Sequence, residues 1–77
     1  MKVELEPIEV ETESEDHEGR LVLAGGKLVG ILVRLSGVHG VWSGFWNVEW
    51  LAEMLHHPPP FKDLRSAKGW FAHRYVA

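Results

Sequence analysis

GRLVLAGGKLVGILVRLSG, residues 19–37, decides the fold. Two apolar runs flank Gly25-Gly26, and glycine reaches the positive φ angles of a two-residue type I′ turn without steric penalty. The pattern predicts a β-hairpin in which Ala24 faces Lys27, Leu23 faces Leu28, Val22 faces Val29 and Leu21 faces Gly30. In that register Val29, Ile31, Val33 and Leu35 line one side of the second strand, and Leu28 and Leu32 line the other. A strand apolar on both faces belongs in the middle of a sheet or under cover on both sides.

C-terminal to the hairpin, SGVHG (36–40) reads as a loop and VWSGFWNVEW (41–50) follows. Trp42, Trp46 and Trp50 are four apart, a spacing that keeps them on one side of a strand and, with slow drift, of a helix. As a strand, the segment adds Val48 to the tryptophan face. As a helix, it places Val48, Leu51, Ala52 and Leu55 at i, i+3, i+4 and i+7, with Asn47 as N-cap. The reading that serves both is a strand over about 41–49 passing into a short helical turn before Pro58-Pro59-Pro60, where missing amide hydrogens stop any regular element. A small chain without cysteine needs large apolar side chains inside, so Trp46, Trp50 and Trp70 are expected mainly in the core. Phe45 then falls on the opposite face.

Beyond the prolines, Leu64, Ala67, Phe71 and Tyr75 recur at helical spacing, so a helix is expected over about 62–75. Gly69 disfavours that helix, and close approach to the sheet would account for it. At the other end, Val3 and Leu5 alternate with glutamates and the phase shifts at Pro7 to Ile8 and Val10. An edge strand over about 2–12 with a bulge near Pro7 fits, with a disordered acidic arm as the alternative. Residues 13–19 read as a loop.

Seventy-seven residues make one domain, and the absence of cysteine excludes disulfides, a thiol nucleophile and cysteine metal sites. The N-terminus lacks the features of a signal peptide and no apolar run is long enough to span a bilayer, so a cytoplasmic protein away from membranes is expected. Charge divides along the chain: residues 1–18 hold eight acids and one base, net −7, and residues 19–77 hold seven bases and three acids, net +4. Such an acidic arm argues against duplex DNA as a partner.

The glycines match neither nucleotide motif. Leu21 and Leu28 stand where a Walker A loop ending in Gly26-Lys27 needs glycine and a hydroxyl, and Gly37, Gly40 and Gly44 lack the dinucleotide-binding spacing. His56-His57 are adjacent and diverge on any regular element, His17 and His39 lie in loops, and His73 falls in the last helical turn. No metal, cofactor or catalytic set emerges, and an enzyme is not expected; a small-ligand or metal-dependent enzyme is the third reading, after an interaction module and a binder of single-stranded nucleic acid. Glutamates between 13 and 18 also miss the calcium-loop spacing. The remaining candidates are the aromatics. A stacking platform for single-stranded nucleic acid would draw its charge from Arg34, Lys62, Arg65, Lys68 and Arg74, but these bases are thinly spread.

The expected architecture is α+β: an antiparallel β-meander of three or four strands, about 2–12, 20–24, 27–35 and 41–49, with one C-terminal helix packed on one face. One helix cannot cover both faces of such a sheet. Phe45, Ile31 and Val33 are the contacts expected on the uncovered face, closed by a homodimer or an unknown protein partner. Gly44, Trp46, Val48 and Glu49, then Pro60, Phe61, Leu64, Ala67 and Trp70, together with the hairpin, give residues 19–75 a likeness. The chain resembles a recurrent type of small uncharacterised bacterial protein with a β-meander and a C-terminal helix. That resemblance implies the fold and carries no established activity or site.

Overall fold

The computed structural model describes residues 2–12, 15–53 and 56–75. Four strands, β1 (Val3–Glu9), β2 (Glu18–Ala24), β3 (Lys27–Arg34) and β4 (Trp46–Leu51), form one antiparallel sheet in sequential order, and the helix α1 (Leu64–Tyr75) follows. The fold is the expected α+β meander. Between β3 and β4 lies a 3-10 segment, Gly37–Trp42, kinked at Gly40. Gly25 and Gly26 take φ of 59° and 81°, the left-handed conformation that the hairpin turn requires.

One face of the sheet carries the core. Val3, Val22, Ala24, Val29, Leu32, Trp46, Val48 and Leu51 pack there against Ala67 and Phe71 of α1. Leu64 and Tyr75 pack against the same cluster, so the predicted helical stripe is the buried one. The helix begins at Leu64 because Asp63 caps it: Oδ1 accepts the Ser66 amide at 2.8 Å. Over β4 the backbone of Phe61 exchanges hydrogen bonds with Trp46 at 2.7 and 2.8 Å, which closes part of that edge.

Two bulges set which residues reach the core. In β3 the register runs Leu23↔Leu28, then Val22↔Gly30, so Val29 is an extra residue and turns inward. The expected pairings of Val22 with Val29 and Leu21 with Gly30 are therefore displaced by one, and Leu21 faces Ile31. In β4 the register runs Leu32↔Val48, then Ile31↔Trp50, so Glu49 is the extra residue. A bulge puts two residues against one and reverses the parity beyond it. Trp46 and Val48 face α1, whereas Trp50 shares the opposite face with Ile31.

Several boundary expectations change with this register. Pro7 causes no bulge: pairing is continuous from Val3↔Ala24 to Glu9↔Glu18, which an edge strand tolerates, and the phase shift instead sends Ile8 to the outer side. Trp42 belongs to the 3-10 segment and not to a strand. Asn47 is paired within β4 and caps no helix. The continuation of a helical turn to Leu55, and the start of the 13–19 loop at Glu13, lie outside the described residues. Gly69 approaches nothing, since a Cβ there would find no atom within 4 Å. The close approach is at Gly30.

Candidate functional site

The outer face of the sheet, away from α1, is built by cross-strand pairing. Glu6, Leu21, Ile31 and Trp50 form one continuous row across all four strands, because each is the register partner of the next. Glu4, Leu23 and Leu28 form the adjacent row. Leu28 and Trp50 are 40% and 42% exposed, and Leu21, Leu23 and Ile31 are half-buried with no helix over them. A one-sided antiparallel sheet usually presents polar residues to solvent on this side. Here the middle of the face is apolar.

Of the three expected contacts, Ile31 lies in the open row. Val33 is on the same face but fully buried. Its register partner is Gly19, and Val10 folds over that glycine so closely that a Cβ there would stand 2.5 Å from Val10 Cγ2. Phe45 is half-buried one residue before β4, where its carbonyl accepts the Leu35 amide at 2.8 Å and Trp42 packs edge-on at 5.3 Å between ring centroids. The 3-10 segment thus covers Phe45. Trp50, which the four-residue spacing assigns to the core, is the large ring left on the outer face.

Two acids of the arm and one of the body border this face. Glu4 and Glu6 are exposed on β1, and Glu49 is exposed in the β4 bulge, where Asn47 Nδ2 donates to its Oε1 at 3.3 Å. Near the end of β1 the arm folds back: the Val10 amide donates to the His17 carbonyl at 2.8 Å. An open groove there is lined by Pro7, Ile8, Glu9, Glu15 and His17.

Asp16 is the buried exception, 6% exposed. Its Oδ1 accepts the Ser36 amide at 2.7 Å and its Oδ2 meets His39 Nε2 at 2.5 Å. The Ser36 hydroxyl beside it, with His39 and the Ser36 amide, outweighs burial and holds the carboxyl below the ordinary range. A nucleophilic relay needs the serine hydroxyl hydrogen-bonded to the imidazole, and among the described residues the buried Ser36 hydroxyl has no hydrogen-bond partner. The trio is a clamp joining the β1–β2 loop to the 3-10 segment. Its one sequence signal is that Asp16 is the sole aspartate among seven glutamates in residues 1–18.

The other histidines do not converge. His17 Nδ1 lies 3.3 Å from the Val10 carbonyl, and His57 Nδ1 lies 3.0 Å from that of Val48. Among the described residues no three metal-ligating side chains gather, and no helix is long and apolar enough to cross a membrane. No protein-family model, curated protein or solved structure matches the chain.

Proposed function

We propose that this chain is a non-catalytic interaction module that engages a protein partner, or a second copy of itself, through the outer face of its sheet. The observation that carries the reading is the row Leu21, Ile31 and Trp50, apolar and uncovered across three strands. Covering those side chains releases about 25 cal/mol for each Å² of apolar surface removed from water, and contiguous exposed apolar surface of this kind marks interaction sites. The strand edges are less inviting. β1 carries Pro7 and a line of glutamates, both of which oppose the addition of another strand.

Single-stranded nucleic acid is the weaker partner. Trp50 shares its face with Glu4 and Glu6, while Arg65 and Lys68 are exposed on α1, across the sheet from that ring. A stacking site needs ring and cation on one surface.

Binding of the hydrophobic dye ANS, together with light scattering, tests the face. The free monomer should enhance dye fluorescence, and Trp50→Ser or Leu28→Ser should reduce that enhancement while leaving the circular dichroism spectrum unchanged. A monodisperse monomer that leaves the dye dark would remove the proposal.

A further inference from the structure

The charges around the outer face say what kind of partner fits it, an inference that rests on the function proposed above. Its apolar strip is bracketed by carboxylates on both flanks. On β1, Glu4 and Glu6 stand opposite Leu23 and Leu21, and on β4, Glu49 sits in the bulge next to Trp50. All three are exposed, and among the described residues none lies within ion-pair distance of a cation. The chain's own bases are engaged or placed elsewhere. Arg20 and Arg34 reach Glu18 at 3.5 and 3.6 Å, and Arg74 reaches Glu53 at 3.6 Å. Lys27 pairs with Ala24, on the helix side, and Lys2 flanks the strip at its corner, where its carbonyl accepts the Gly25 amide.

A second copy is poorly matched to this pattern. An isologous contact sets the same patch against itself, so it would bring carboxylates against carboxylates or apolar side chains. Width points to one element. Strands lie about 4.8 Å apart, so the flanks on β1 and β4 are separated by about 14 Å, close to the 10–12 Å diameter of a single α-helix.

We propose that the outer face binds a basic amphipathic helix of another protein. Its apolar stripe lies along Leu21, Leu23, Leu28, Ile31 and Trp50, and lysines or arginines on both sides of that stripe meet Glu4, Glu6 and Glu49.

The test uses an end-capped Leu/Lys peptide of helical period, labelled for fluorescence anisotropy. Its controls are a scrambled peptide of the same composition and a Leu/Glu counterpart. The Leu/Lys peptide should bind saturably, and both controls about tenfold more weakly or not at all. Glu6→Lys should weaken binding about fivefold, whereas Glu53→Lys, which changes net charge equally but sits beside Arg74 of α1, should not. Equal binding of the Leu/Glu peptide, or equal effects of the two reversals, would overturn the basic partner and leave the interaction face standing. A chain that dimerises with Trp50 protected from quenching would likewise replace that partner with a second copy. If Trp50→Ser and Leu28→Ser leave every peptide affinity unchanged, the face itself is not the site and both proposals fall.

Discussion

A Cβ built on Gly30 would stand 2.7 Å from Cζ of Phe71, so β3 carries a glycine where the most deeply buried ring of α1 meets the sheet. Phe71 is fully buried within the core cluster. Gly30→Ala should therefore lower stability by about 1–3 kcal/mol, the usual effect of overpacking, in urea denaturation. Adding Phe71→Leu should recover part of that loss relative to Phe71→Leu alone. Strict additivity in the double-mutant cycle would show that the two residues do not compete for one space.

Gly69 predicts the opposite sign. It is exposed inside α1 with nothing within 4 Å of a Cβ, so the glycine only disfavours the helix. Gly69→Ala should stabilise by up to about 1 kcal/mol and raise the melting temperature. A fall would mean that the position packs against something.

Trp46 and Trp50, four residues apart, should behave as different kinds of residue. Trp46 is 6% exposed, with the Arg20 guanidinium 5.0 Å from its ring centroid, and Trp46→Ala should cost about 3–5 kcal/mol. Trp50→Ser should change stability by only about 0.5 kcal/mol. It should also remove part of the fluorescence that acrylamide quenches, the rest coming from Trp42, which is as exposed as Trp50. Unchanged quenching in that variant would place Trp50 inside.

Asp16 links the clamp to acid stability. Its carboxyl is held below the ordinary value of 3.8, first by the Ser36 hydroxyl, so its contribution is present above that value and is lost as pH falls through the lower folded one. Asp16→Asn should lower stability by about 1–2 kcal/mol near neutral pH. The gap between the two proteins should close in the acid limb below 3.8. A gap that persists unchanged there would show that shape, not charge, is what the substitution removes.

Oligothymidylate should leave the tryptophan fluorescence unchanged at low ionic strength, where phosphate attraction is strongest. The exposed ring of Trp50 lies in the row with Glu6, and the helix cations face the other way. Quenching that weakens with added salt would reinstate the stacking site.

Local chemistry determined much of this protein. Gly25-Gly26 between apolar runs set the hairpin and its first two pairs, Ala24 with Lys27 and Leu23 with Leu28, because glycine alone takes both turn angles freely. Three prolines and the period of Ala67 and Phe71 likewise separated the last strand from the helix and marked its buried stripe. Only the tertiary structure decided which face the later side chains join. Alternation is a parity rule, and one inserted residue reverses it: Val29 turns inward, and beyond Glu49 Trp50 turns outward. The two bulges leave no residue signature in these strands, because an extra residue is set by how two strands pair and not by the type of residue inserted. The Asp16–His39 clamp has the same origin. Its partners are 23 residues apart and meet only after the meander has brought the β1–β2 loop beside the 3-10 segment.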